Sequence, residues 1–290
     1  MISGLGVGIL SWRAHETLRK TLESYRDRGL VGLTEERAVF FNEISDADRA
    51  IAAEFDYEAR GDDRNLGLLE GTVALVESMR SDYLLLLQND CPLCVSREEV
   101  EQYLLAAVQM IESGRAEVVR CRHRWNIGQG FSDIFKYLKY WRPESAGYGV
   151  SSRTVLGWLR PFKAYRMIGR SPYVLQRPDL RHSGLIRREG NFFIVDSSVI
   201  NFTDQPFLIR KSFFLKLLAY AKAHPSSRTL NGFQVVEMCL NCAWWRHQHF
   251  RIAVGEGCFT HNRFDDSFRP DHVAFNTMIA SSENPSGGRV

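Results

Sequence analysis

Residues 83–90 read YLLLLQND, an apolar run that stops abruptly at an amide, a second amide and a carboxylate. A continuous apolar strand bounded by polar residues suits a sheet covered on both faces, as in the parallel sheet of an α/β domain. Ligands collect beyond the carboxyl ends of such strands. That rule makes Asp90 a candidate for chemistry, with a surface turn as the other use of the same residue.

The neighbouring sequence extends the pattern. GLGVGILSW (4–12) predicts a first strand, and HETLRKTLESYRDRG (15–29) a helix with Leu18, Leu22 and Tyr25 at helical spacing and Gly29 as its stop. AVFF (38–41) predicts a second strand that ends at Asn42 and Glu43. SDADRAIAAEF (45–55) predicts a helix capped by Ser45 with acids in its first turn. EARGDDRN (58–65) is polar and turn-like, LLEGTVALVESM (68–79) helical, and a further helix and strand are expected near 97–112 and 116–121. Strands alternating with helices over short loops predict a doubly wound, mostly parallel sheet flanked by helices. The common phosphate loops are missing, because G-x-G-x-x-G fails at Ile9 and Ser11 and no G-x-x-x-x-G-K-[ST] occurs. Any bound phosphate must therefore be met by metal or side chains.

The chain has 290 residues and a net charge of +3 that conceals an asymmetry. Residues 1–119 carry 12 basic against 22 acidic side chains, residues 120–190 carry 15 against 4, and the remainder 10 against 8. The middle is thus a basic, aromatic-rich block, including FSDIFKYLKYW (131–141) and VLGWLRPFKAYRMIGR (155–170), with few clean periods. The division expected is a nucleotide-binding α/β part (1–119), a basic acceptor- or membrane-facing region (120–190), the remainder of the catalytic domain (191–278) and a disordered tail (279–290). Within the third part, 191–214 is strand-like, FQVVEMCLNCAWWR (233–246) helical with Val236, Leu240 and Ala243 in one stripe, and FRIAVGEGCFTHNR (250–263) the last strand. No apolar run reaches the roughly 18 to 20 residues that cross a bilayer, and no basic region precedes the first apolar stretch, so a cytoplasmic chain is expected. Cys91 and Cys94, with Cys239 and Cys242, form two C-x-x-C pairs. Reduced, mostly buried thiols are expected there, and a four-cysteine zinc site is the alternative.

In order, these features resemble the nucleotide-sugar-dependent glycosyltransferases of the GT-A fold, especially the inverting family that builds polysaccharides. GILSWRAHETLRKTLESY is similar to that family's opening, FFNEIS to its second strand, RNLGLLEGTVALVES to its N-x-G segment, and YLLLLQND to the place of its metal-binding D-x-D. FQVVEMCL resembles the segment supplying the catalytic acid, and FTHNR the downstream histidine. The resemblance implies a divalent cation held by Asp90 and His261, with Glu237 as general base. It also implies a nucleoside-diphosphate sugar met by Ser11, Arg13, Glu43, Asn65, Gly67, Asn89 and Asp90. Gln88 stands where the first carboxylate is usual and Asn89 at the middle position, so only one carboxylate, Asp90, remains.

The chemistry has its own logic. A departing diphosphate is stabilised economically by a divalent cation, and a mixed oxygen and nitrogen set suits Mn²⁺ better than Mg²⁺. An inverting transfer needs one carboxylate to take the acceptor proton, and apolar Val235, Val236 and Met238 would bury Glu237 and raise its pKa. In the basic block, Arg120, Arg122, Arg124, Lys136, Lys139, Arg160, Lys163, Arg166 and Arg170 interleave with Trp125, Trp141, Trp158 and Tyr165. Cation and aromatic together suit a glycan acceptor, a lipid-linked glycan at a peripheral membrane contact, or nucleic acid, for which no recognisable module is present. A solvated basic face is the plain alternative. Two rival functions stand beside glycosyl transfer: a nucleotidyltransferase on a related sheet, and a non-catalytic nucleic-acid- or membrane-binding module. Oligomeric state is not legible.

Overall fold

The computed structural model describes residues 1–129, 132–142 and 153–264. The expected disordered tail lies outside them, as do Phe131 and residues 143–152 of the basic block.

The first half runs β1 (Leu5–Ser11), α1 (His15–Asp27), β2 (Glu36–Asn42), α2 (Asp46–Glu54), β3 (Glu58–Asp62), α3 (Gly67–Ser78), β4 (Tyr83–Gln88), α4 (Arg97–Glu112) and β5 (Val118–Arg122). Four short helices follow: α5 (Asp133–Leu138), α6 (Val155–Leu159), α7 (Pro161–Met167) and α8 (Pro178–Arg181). The chain then forms β6 (Ile186–Glu189), β7 (Phe192–Asp196), β8 (Phe207–Arg210), α9 (Lys211–Ala223), α10 (Val236–Leu240), α11 (Ala243–His247) and β9 (Arg251–Phe259). All nine described strands join one sheet in the order β3-β2-β1-β4-β8-β5-β9-β7-β6. β3, β2, β1 and β4 are parallel neighbours, and β5 is parallel to β9. β8 runs antiparallel between β4 and β5, and β7 antiparallel to β9.

The apolar run 83–87 feeds both faces of this sheet. Leu84 and Leu86 join the core beneath α3 and α9, with Leu75, Val76 and Phe214, whereas Leu85 and Leu87 join the opposite core with Leu18, Leu22 and Leu104 of α1 and α4. A strand buried on both sides has no polar face to alternate, which is why the sequence shows none. Ser45 and Ser96 open α2 and α4 with reciprocal capping boxes to Asp48 and Glu99, fixing where each helix starts.

Three expectations are corrected. Residues 58–62 are a strand, because β3 is an edge strand whose backbone pairs with β2 while its polar side chains stay partly exposed. Arg60 secures it, donating to Glu36 (3.0 Å) and Ser78 (3.1 Å). The helix expected over 233–246 is two short helices, because the Asn241 side chain bonds the backbone of Phe202 (2.8 and 3.0 Å) and draws the chain out of the helical path. Four arginines of the basic block, Arg120, Arg122, Arg124 and Arg170, are buried and form no surface. All six cysteines are free, and burial pushes the thiols of Cys91 and Cys258 well up and that of Cys94 to about 11.

Leu85→Ala and Leu86→Ala, which open cavities in opposite cores, should each destabilise the fold by about 2 to 5 kcal/mol in urea unfolding. Near-neutral behaviour of one would show that its face is loosely packed.

Candidate active site

The carboxyl ends of β1, β2 and β4 meet at one edge of the sheet. Ser11 closes β1 and accepts from the Asn89 side chain (3.3 Å), while the Asn89 carbonyl receives the Thr21 hydroxyl (2.7 Å). Beyond them the chain turns through two residues with positive φ, Arg13 (46°) and Glu43 (59°). Glu43 accepts from Trp12 Nε1 (2.7 Å) and Arg13 (2.9 Å), and these bonds, Trp12's foremost, hold its carboxyl below the usual range. Trp12 leaves an exposed aromatic plane at this edge that the sequence reading did not single out.

Asn65 and Gly67 open α3. The Asn65 side chain accepts from the Gly67 N–H (2.8 Å), and Asn42 accepts from Leu66 (3.1 Å). Gly67 has φ of 75°, and a Cβ there would lie 2.4 Å from the Phe233 ring. The group that approaches its backbone is thus the chain's own Phe233, which leads into α10.

Asp90 follows β4 and is 2% exposed. The segment after β9 returns beside it, with Thr260 N–H bonding the Pro92 carbonyl (3.0 Å) and Asn262 N–H the Asp90 carbonyl (2.9 Å). This pairing delivers an imidazole and a guanidinium to a single carboxylate oxygen: His261 Nε2 at 3.2 Å and Arg263 Nε at 3.0 Å from Oδ2. Burial alone would raise the Asp90 pKa, but His261 and then Arg263 outweigh it and hold the group at about 2. The His261 Nδ1 atom is buried without a partner. Arg263 already donates to Asp90 Oδ2, where Asp90 and His261 would offer a divalent cation two ligands. Their atoms are close enough for one ion at ordinary distances of about 2.0 to 2.2 Å to touch both. Among the described residues no group of three or more His, Cys, Asp and Glu side chains could hold a metal. Diphosphate and water would have to complete the shell.

A second cluster lies on the β8 side. Glu237 opens α10, and Asp204 sits in the loop before β8, each carboxyl held against the other's backbone N–H. Burial first, then the Glu237 charge, raises Asp204 to about 8. Burial, then the charge of Asp133, raises Glu237 against the pull of Arg120 and Lys136. Asp133 is itself kept low because Arg170 (2.9 Å) foremost, with Arg120 and Lys136, outweighs its burial. Asp204 also lines a cleft with Gln88, Leu10 and Thr72, which joins this cluster to the end of β4. The electrostatic reach of Arg122 includes both Asp90 and Asp133.

Sequence reading passed over Asp133 and Arg263 as site residues. Asp133 carried a usable signal, since it is the first carboxylate after a run of arginines at 120, 122 and 124. Buried cations so placed need a counter-charge.

No family profile matches the chain, and no characterised protein matches it in sequence. Solved structures resemble it in fold. GalNAc-T7 with UDP, GalNAc and Mn²⁺ superposes with a TM-score of 0.50 at 12% identity, covering 92% of this chain and 44% of its own. S. aureus TarS 1–349 gives 0.48 at 12% identity, covering 90% and 60%. A mannosyltransferase from Pyrobaculum calidifontis in complex with GDP-Man and Mn²⁺ gives 0.34 at 9%, covering 42% and 36%. The chain thus spans less than two thirds of each. The fold is a GT-A-like α/β fold, as the sequence resemblance implied.

The two carboxyl clusters titrate in opposite senses. Asp204, with a folded value of about 8 against 3.8 unfolded, contributes stability that is fully present below 3.8 and lost as pH rises through about 8. Asp90, at about 2, contributes stability present above 3.8 and lost as pH falls through about 2. Asp204→Asn should therefore flatten the decline of the thermal midpoint between about pH 5 and pH 8. An unchanged decline would place that proton elsewhere.

Proposed function

We propose that the chain is a glycosyltransferase that moves a sugar from a nucleoside-diphosphate sugar to a glycan or lipid-linked glycan acceptor, with inversion of the anomeric centre. The observation that carries the reading is the placing of unlike carboxyl groups around the end of β4: Asp90 held ionised by His261 and Arg263, and Asp204, which shares a cleft with Gln88, held with Glu237 toward the protonated form. Separated pKa values of this kind divide electrostatic work from acid and base work. The GT-A-like fold supports the donor class.

In this reading the ends of β1, β2 and α3 receive the nucleotide. Ser11, Asn89 and the Glu43–Arg13–Trp12 group face it, while Asn65 fixes the turn at Gly67. Asp90 and His261 would hold a divalent cation, whose chemistry is to neutralise negative charge gathering on the departing diphosphate. Arg263 stands on the same oxygen of Asp90 and supplies a fixed positive charge there. Glu237 takes the proton from the acceptor hydroxyl as that oxygen attacks the anomeric carbon from the face opposite the diphosphate. Asp204, beside it, is raised by its burial and by the Glu237 charge, which holds it toward the protonated form.

Glu237→Gln keeps the shape but cannot take a proton at neutral pH. Its kcat should fall by about 10² to 10⁴ with donor KM little changed, and the wild-type product should have the anomeric configuration opposite to the donor, read by NMR. Near-normal turnover would transfer the role to Asp204, and retained configuration would reject the single displacement.

Asp90→Asn should weaken the Mn²⁺-dependent part of nucleoside-diphosphate binding, measured by thermal shift with and without chelator. Equal wild-type affinity in chelator and in Mn²⁺ would remove the metal from the proposal.

A further inference from the structure

Helices α6 and α7 are built inside out. Thr154 caps α6, its hydroxyl accepting from Gly157 N–H (3.1 Å) and donating to the Lys139 carbonyl (2.8 Å). The face turned to the protein packs Leu156 and Met167 against the core between small side chains. Gly157 is packed so closely that a Cβ would lie 2.3 Å from the Tyr140 carbonyl, and Ala164 and Ile168 are 0% and 4% exposed. Trp141 fastens this face from below, donating to the Ala164 carbonyl (2.9 Å). Most of the large apolar side chains face outward instead: Val155, Trp158, Leu159, Phe162 and Tyr165 are 71%, 60%, 74%, 85% and 41% exposed. A folded chain gains nothing from leaving Leu159 and Phe162 in water, and a contiguous apolar patch of this kind marks a surface that something else covers.

The charges around the patch identify what covers it. Arg160, Lys163 and Arg166 stand exposed among the apolar side chains, and among the described residues no carboxylate pairs with any of them. Across α6 and α7, residues 155–167 carry these three cations and no Asp or Glu. Bulky apolar and aromatic tips rimmed by cations on short helices are the arrangement that seats in a headgroup layer, the rings and Leu at the acyl boundary and the cations against lipid phosphates. No described helix is long and apolar enough to cross a membrane, so any seating is at the surface.

We propose that the α6–α7 surface is a monotopic membrane-docking site, which inserts Leu159, Phe162 and Trp158 into an anionic bilayer and sets Arg160, Lys163 and Arg166 against its headgroups. The proposal is independent of the transferase reading, because it rests on exposure and charge alone. The two are joined structurally, since α7 packs against α5, whose first residue is Asp133.

The test is sedimentation of the full chain with vesicles of phosphatidylcholine alone or with phosphatidylglycerol, scored beside thermal midpoints. Wild-type protein should partition onto the anionic vesicles, and brominated acyl chains should quench its tryptophan emission. Leu159→Asp with Phe162→Asp should lower that partitioning at least tenfold while the thermal midpoint stays near wild type. Changing Arg160, Lys163 and Arg166 together to Gln should lower it on the order of a hundredfold on anionic vesicles and little on neutral ones. The proposal is overturned if wild-type protein ignores anionic vesicles. It is equally overturned if the Leu159 and Phe162 changes leave partitioning intact, or if brominated chains quench nothing. Self-association or oligonucleotide binding abolished by the same substitutions, without vesicle binding, would assign the surface to a second copy or to nucleic acid instead.

Discussion

A guanidinium cannot shed its charge on entering a protein, so a buried arginine obliges the chain to bring acceptors to it. Arg122, 2% exposed at the end of β5, imposes that obligation on the whole site. It donates to the carbonyls of Ile127 (2.8 Å) and Gln129 (2.7 Å) and to the side chain of Gln205. Gln129 in turn donates its N–H to the His261 carbonyl (2.7 Å). One side chain therefore sets the spacing between the segment carrying His261 and Arg263 and the loop carrying Asp204. Burial lowers its pKa to about 10, with Cys91, Tyr173, Asp133 and Asp90 pulling the other way, so it stays charged at neutral pH. Gly128, within the bound loop, tolerates no side chain, because a Cβ would lie 2.3 Å from the His261 carbonyl.

Around this anchor, the same functional group acquires two characters. Asp90 meets His261 and Arg263, which hold it ionised even inside the protein, whereas Asp204 meets Glu237, with no cation in the balance that raises its pKa. Asp133 is the intermediate case, a half-buried carboxylate neutralised by Arg170 and Lys136 whose residual charge raises Glu237. Electrostatic division of labour between carboxylates requires separate environments close together, and the sheet edge provides them.

What could be read from the sequence follows from which force shaped each element. β1 and β4 were legible because two-sided burial leaves a continuous apolar signature, and α2 because Ser45 and Asp48 cap it chemically. β3 was not, because an edge strand is specified by the backbone of its neighbour and its side chains answer to solvent. The break between α10 and α11 was hidden for a related reason, since the apolar stripe continues across it and only the distant Phe202 shows what Asn241 does. Asp90 and His261 stood out as polar residues ending apolar strands. Asp133 and Arg263 did not, because their importance lies in partners 37 and 173 positions away.

The antiparallel strand β8 has a consequence for synthesis. Tyr83 of β4 pairs with Arg210 of β8, a residue made 127 positions later, and β5 likewise waits for β9. At about 5 to 20 residues per second, the growing chain holds the β4 edge unpaired for roughly 6 to 25 seconds. An open, strongly apolar strand edge is the species that a neighbouring nascent chain can capture, so the molecule's most aggregation-prone interval falls during translation. The same delay separates the carboxylates in time: Asp90 is made directly after β4, whereas Asp204 comes just before β8 and Glu237 only with α10.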